Sequence, residues 1–92
     1  MDIKVRVFGD LKSVLGKSLT LEVKEGATVR SLIHWLADKA DLKPGVFIDK
    51  YMKDRGDLAI LLNGRNIRLL VGLDTGLKEG DEVIFLPPTP GG

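Results

Sequence analysis

The sequence predicts an α+β domain in which a sheet and a helix form two layers. Three observations carry this. Segments with a period of two open and close the chain. A single stretch with a period of three to four lies between them. The order strand, strand, helix, short helix, strand, strand, strand does not alternate as βαβ units do, so a doubly wound parallel fold is excluded. The helix has one apolar stripe and can cover only one face of the sheet.

Ile3, Val5 and Val7 alternate with Lys4 and Arg6, which predicts a half-buried strand over about 2–8. Gly9-Asp10 breaks it and Gly16-Lys17 marks the return. Leu19, Leu21 and Val23 alternate with Thr20, Glu22 and Lys24, giving a second strand. The short link makes the two an antiparallel hairpin with a plain connection. Val29, Leu32, Ile33, Leu36 and Ala40 then form one helical stripe, with Thr28 placed to cap its N-terminus. Pro44-Gly45 interrupts helix propagation. Residues 46–55, with Val46, Phe47, Ile48, Tyr51 and Met52, read as a short second helix closed by Gly56.

Leu58 to Leu62 is an apolar run suited to a central strand covered on both faces. Asn63-Gly64 is a tight-turn dipeptide, and Ile67-Arg68-Leu69 reads as the strand after it. Residues 72–81 read as loop, and Glu82 to Leu86 as the last strand. Pro87, Pro88 and Pro90 lack the N–H that a ladder needs, so the sheet ends there. On the last strand Val83 and Phe85 share one face while Ile84 and Leu86 share the other. Both faces are apolar, yet the helix covers one. Either the 46–55 segment or the 72–81 loop supplies a second cover, or the face is an exposed apolar patch of the kind that marks a partner surface.

Composition excludes several functions. The chain has 92 residues, 43% of them apolar and 29% charged, as in an ordinary globular domain. Fourteen basic against thirteen acidic residues give a net charge of +1, which argues for neither nucleic acid nor membrane as a partner. The absence of Cys removes disulfides, thiolate metal sites and a cysteine nucleophile. With His34 as the only histidine, no multi-histidine metal site exists in one chain. The opening residues lack the apolar run of a signal peptide, and no run approaches the ~20 residues of a membrane span. A cytoplasmic protein is expected.

Two motif candidates fail. Gly9 to Ser18 has six residues between its glycines where a phosphate loop has four, and a strand follows it where a helix is required. His34 lies off the apolar stripe between Arg30 and Asp38 and reads as a solvated surface residue. Trp35 adjoins Leu32 and reads as capping the edge of the core, with use at an interface as the alternative. Asp38, Asp41, Asp49 and Asp54 show no pairing suited to acid–base chemistry.

The tail is the remaining feature. Pro87-Pro88-Thr89-Pro90 favours an extended path that loses little entropy on ordering. From Thr89 onward it reaches at most about 14 Å. Gly91 and Gly92 have no Cβ and suit a narrow channel in another protein. Residues 1–88 therefore read as the domain and 89–92 as a functional tail. The reactive group at its end is the Gly92 carboxylate, a poor electrophile that must be activated, typically as an acyl adenylate. The chain shows no nucleotide site, so a partner enzyme must bring ATP.

Leu61-Leu62-Asn63-Gly64-Arg65-Asn66-Ile67, Gly72-Leu73-Asp74-Thr75, Leu77-Lys78-Glu79-Gly80-Asp81-Glu82-Val83, Phe85-Leu86-Pro87-Pro88 and Gly91-Gly92 together resemble the MoaD/ThiS family of ubiquitin-like sulfur carriers, and its MoaD branch in particular. The resemblance spans most of the chain and is densest over 61–92. It implies a ubiquitin-like β-grasp fold with a sheet of about five strands on one main helix. It also implies a function, that of the small subunit of molybdopterin synthase. In this reading Gly92 is adenylated by a MoeB-like, ubiquitin-activating-type enzyme and converted to a thiocarboxylate with sulfur from a sulfurtransferase. A MoaE-like large subunit then receives the tail, and sulfur passes to a pterin precursor in molybdenum or tungsten cofactor synthesis. Gly91, Pro90 and Thr89 occupy the partner's channel, while Leu86, Ile84, Pro87 and Pro88 form the interface. No metal or cofactor is bound by the chain, which has no autonomous active site. Leu86 stands where the family often has Phe, and Thr89-Pro90 replaces its commoner small or hydroxyl pair. Residues 43–57 are longer than in the shortest members. The same activation chemistry serves a protein modifier joined through Gly92 to lysines, and sulfur delivery to tRNA or to the thiazole of thiamine. An interaction domain with an idle tail is the remaining reading.

Overall fold

A computed structural model of the chain describes residues 1–8, 11–43, 45–46 and 59–86. The expected two layers are present. A five-stranded sheet has strand order β2-β1-β5-β3-β4, and one long helix covers one face.

Strand β1 (Asp2–Val7) buries Ile3, Val5 and Val7 completely and exposes the residues between them. It pairs antiparallel with β2 (Ser18–Glu22), as the alternation predicts. The link between them is more than a plain hairpin. A one-turn helix, α1 (Leu11–Leu15), sits inside it and sends Leu15 into the core. Five residues free of Gly and Pro suffice for a single turn. Gly16 closes it at φ +83°, donating its N–H to the Lys12 carbonyl at 3.0 Å. Gly16-Lys17 then leads into β2, a strand, which agrees with rejecting a phosphate loop there.

Helix α2 (Val29–Lys39) begins where Thr28 predicts. The Thr28 hydroxyl accepts the Ser31 N–H at 3.3 Å, and the Thr28 N–H donates to the Ser31 hydroxyl at 2.7 Å, so Ser31 completes a capping box in place of the usual Glu or Gln. Val29, Leu32, Ile33 and Leu36 are buried as the stripe requires, and Ala37 joins them. Ala40, placed on the stripe by spacing, is the half-buried C-cap, because the helix stops before Pro44. Asp41 reverses the chain at φ +58°. Of the second helix expected over 46–55, Val46 has helical backbone, as does Gly45 before it, a residue expected to interrupt the helix. Residues 47–55 and the Gly56 stop lie outside the described residues.

Strand β3 (Ala59–Leu62) buries Ile60 and Leu62, while Ala59 and Leu61 are half-buried. Asn63 and Gly64, at φ +50° and +86°, make the tight turn into β4 (Arg65–Asn66). The expected strand at 67–69 is instead a 3-10 turn, Ile67–Leu69. Its cause is local. The Asn66 side-chain oxygen accepts the Arg68 N–H at 2.9 Å, which bends the backbone away from the ladder after two residues. A second 3-10 turn, Gly72–Asp74, lies within the expected loop.

Strand β5 (Glu82–Leu86) runs parallel to β1 and antiparallel to β3, so the last strand occupies the middle of the sheet. No helix among the described residues is long and apolar enough to cross a membrane.

Candidate functional site: the end of the central strand

The start of β5 is clamped. Gly80 turns the chain at φ +82°. The Asp81 carboxylate then accepts the Lys78 N–H and the Asn63 side-chain amide, both at 2.8 Å, and the Asn63 oxygen accepts the Glu82 N–H at 2.9 Å. Glu79 accepts the Asp2 N–H at 2.8 Å. The Asn-Gly and Gly-Asp-Glu-Val motifs thus fix where the last strand enters the sheet, and so where it leaves.

The two faces of β5 differ as strand geometry requires. Val83 and Phe85 are fully buried under α2, whereas Ile84 and Leu86 are half-buried on the opposite face. Ile84 lies between Arg6 of β1 and Leu61 of β3, and Leu86 lies opposite Ala59. An apolar strip of Leu86, Ala59, Ile84 and Leu61 therefore runs across the outer face beside a cationic border of Lys4 and Arg6. The Arg6 guanidinium sits 5.7 Å from the centre of the Phe8 ring, which is itself exposed.

The 72–81 loop is not the cover of this face. Val29 donates to the Thr75 carbonyl at 3.0 Å and Leu77 to the Ala27 carbonyl at 2.9 Å, and Thr75 and Leu77 are buried, so the loop closes the helix side. The alternative cover, 46–55, falls outside the described residues except for the exposed Val46. Phe8 and Leu61 belong beside Ile84 and Leu86 and are not among the interface residues expected from the sequence. Parity along each strand is the signal that finds them, once the neighbours of β5 are known.

Of the sequence-derived site residues, Ile84 and Leu86 are brought together at the end of β5. Pro87, Pro88, Thr89, Pro90, Gly91 and Gly92 lie outside the described residues. His34 is exposed on α2, as its position off the stripe requires. Trp35, expected to cap the core edge, is 36% exposed, with the Lys39 ammonium 5.1 Å from its ring. Among the described residues no three His, Asp or Glu side chains are grouped to hold a metal.

Comparison with known proteins adds what the tail's chemistry alone leaves open. The ThiS family model matches residues 5–92. Small archaeal modifier protein 3 of Haloferax volcanii is 32% identical over 93 residues, covering 100% of both chains. A protein of Archaeoglobus fulgidus assigned as a sulfur carrier is 38% identical over 72 residues, 74% of this chain and 77% of its own. A solved chain from Pyrococcus furiosus assigned as molybdopterin converting factor subunit 1 superposes with a TM-score of 0.72 at 28% identity, covering 96% of this chain and 98% of that one. With the β-grasp sheet, the clamped central strand and a match reaching residue 92, the chain belongs to the ThiS/MoaD family of ubiquitin-like sulfur carriers.

Proposed function

We propose that this protein is the sulfur-carrying small subunit of a molybdopterin synthase, acting through the carboxylate of Gly92. One observation carries the reading. The family match runs to residue 92, so Gly91-Gly92 fall within it, and the strand that precedes them in the chain, β5, ends at Leu86 locked into the middle of the sheet. Support for the pterin acceptor comes from the likeness to molybdopterin converting factor subunit 1.

The chemistry requires partners. A MoeB-like adenylating enzyme binds ATP. The Gly92 carboxylate attacks the α-phosphorus, pyrophosphate leaves, and the acyl adenylate forms. A sulfurtransferase supplies sulfur at the hydrosulfide level, which displaces AMP and leaves a thiocarboxylate. In a MoaE-like large subunit the thiocarboxylate sulfur attacks an electrophilic carbon of the pterin precursor and displaces an oxygen leaving group from it, and water then cleaves the acyl–sulfur bond, returning the Gly92 carboxylate and leaving the sulfur on the pterin. This chain's part is to deliver one atom. Leu86 and Ile84, with Pro87 and Pro88, rest on the partner. Thr89, Pro90 and Gly91 thread the channel, where the glycine needs least width.

A second reading is favoured by the full-length similarity to small archaeal modifier protein 3. There the activated Gly92 carbonyl is attacked by a lysine amine and forms an isopeptide bond. The two readings share every step up to the adenylate and part at the nucleophile.

Intact mass of the chain from its native cells, followed by the mass of its C-terminal peptide, separates them. Oxygen-for-sulfur exchange on Gly92 is the expected result. Conjugates through Gly92 without any thiocarboxylate would replace the carrier reading by the modifier. Removing Gly91-Gly92 abolishes both products while the thermal midpoint stays within about 2 °C, since termini bury little.

A further inference from the structure

The two edges of the sheet are built differently. Strand β4 is two residues long and bends into a 3-10 turn, which blunts that edge. Strand β2 runs for five residues without Pro or bulge, and only one of its sides is used. Met1 and Val23 exchange both backbone bonds at 2.7 and 2.8 Å, and Val7 donates to the Lys17 carbonyl at 3.2 Å. Leu19, Leu21 and Val23 therefore face β1. Ser18, Thr20 and Glu22 turn their N–H and C=O groups outward, where no backbone partner meets them among the described residues. Beside the end of this edge lies an open groove of about 510 Å³ lined by residues 22–27, Ser31 and Trp35.

We propose that β2 pairs antiparallel with β2 of a second copy of this chain, about a twofold axis through Thr20, joining two sheets into one. The free backbone groups select this register. It pairs Thr20 with Thr20 and Ser18 with Glu22, and so uses every outward group of the strand. A slide of two residues either way would call on the Gly16 N–H or the Lys24 carbonyl, and these are already bound to the Lys12 carbonyl and the Ala27 N–H. Side chains match in the same register. Leu19 meets Leu21 on the inner face, and Thr20 meets Thr20 on the outer. Lys17 of each copy falls opposite Val23 of the other, at the mouth of the groove that carries Glu22 and Glu25.

Because the axis stands perpendicular to the sheet, both α2 helices lie on one side, with Trp35 of each bordering the seam. The groove rim carries both signs, Glu22, Glu25, Lys24 and the adjacent Lys39, which selects neither an acidic nor a basic peptide. The chain's own edge, with Lys17 at one end and Glu22 at the other, complements it twice by symmetry. An edge this short falls well below the ~800 Å² per partner of a stable interface, so the pair is reversible and appears with concentration. Strand β1 separates β2 from β5, so pairing leaves Ile84 and Leu86 free and stands apart from the proposed sulfur chemistry.

Sedimentation equilibrium on the full chain from about 20 μM to about 1 mM tests this, a range that brackets weak association. The expected result is a mass rising towards the dimer, with amide resonances of Ser18, Thr20 and Glu22 and the Trp35 indole shifting as concentration rises. Lys17→Glu weakens the dimer by about tenfold or more, and the double variant Lys17→Glu/Glu25→Lys restores it to within about threefold. Thr20→Pro, which removes an outward N–H and leaves the β1 ladder intact, abolishes it. If that variant fails to fold, the charge swap decides. A monomer at the highest concentration overturns the proposal. So does a dimer that ignores the charge swap, or shifts confined to residues outside β2 and α2.

Discussion

Neighbouring residues of β5 meet opposite surroundings. Val83 and Phe85 are fully buried between sheet and α2, while Ile84 and Leu86, each one position along, are half-buried on the outer face. Within five residues the strand serves two purposes. One face holds the domain together, and the other leaves apolar area for a partner at the point where the tail departs. The difference follows from two-fold alternation and from a helix that reaches one side. It predicts that the cost of a truncation depends on parity more than on side-chain size.

Phe85→Ala is the largest test. It empties the best-buried aromatic position among the described residues and costs about 3–5 kcal/mol, a large share of the ~5–15 kcal/mol that holds a domain of this kind. Urea unfolding reads the loss directly, and a cost below about 1.5 kcal/mol would break the comparison. Ile84→Ala and Leu86→Ala are expected to cost about 1 kcal/mol each in the same assay, because only part of each side chain leaves water. Binding to the large subunit proposed to receive the tail should fall by about tenfold or more, as it does when apolar anchors are removed from an interface. Equal stability costs at Phe85 and Ile84 would mean that the outer face is covered. Thr28→Ala is smaller again. It removes one half of the capping box and costs about 1 kcal/mol, seen as a lower unfolding midpoint with unchanged partner affinity.

Where the sequence was legible, a regular period met a face of the sheet. The strands over 2–7 and 82–86 and the helix over 29–39 follow from alternation and from the Thr28 cap. Shorter features were lost for physical reasons. Helix α1 is five residues long, too few for a period to show, and the glycines beside it suggested a turn. Asn66 changed the 67–69 segment from strand to 3-10 turn through one side-chain hydrogen bond, which no hydropathy pattern contains. The apolar run ending at Leu62 suggested burial on both faces, yet Leu61 is half-buried because α2 covers one side.

The candidate site was legible in part. Parity placed Ile84 and Leu86 together. That Phe8 and Leu61 lie beside them is not legible, because their nearness depends on β1 and β3 flanking β5, a fact of topology. The Asn63–Asp81 clamp likewise joins residues 18 apart in sequence and appears in the motifs only as unexplained polar positions.

The smallest expected effect lies on the helix side, where Arg30 of α2 meets Asp74 of the second 3-10 turn at 3.2 Å. The contact looks like a tether between helix and loop. Its side chains are 55% and 68% exposed, however, so water and salt compete for both charges. Exposed pairs of this kind contribute about 0–1 kcal/mol. The loop is already held by backbone bonds from Val29 to Thr75 and from Leu77 to Ala27, and by the buried Leu77 side chain. Arg30→Ala should therefore lower stability by about 0.5 kcal/mol or less, and the loss should shrink further at high salt. A double-mutant cycle with Asp74→Ala isolates the pair from the rest of the loop. A coupling above about 1.5 kcal/mol would place real stabilisation on the polar rim of the helix side. The inner face of β5 would then no longer account for the domain's cohesion by burial alone.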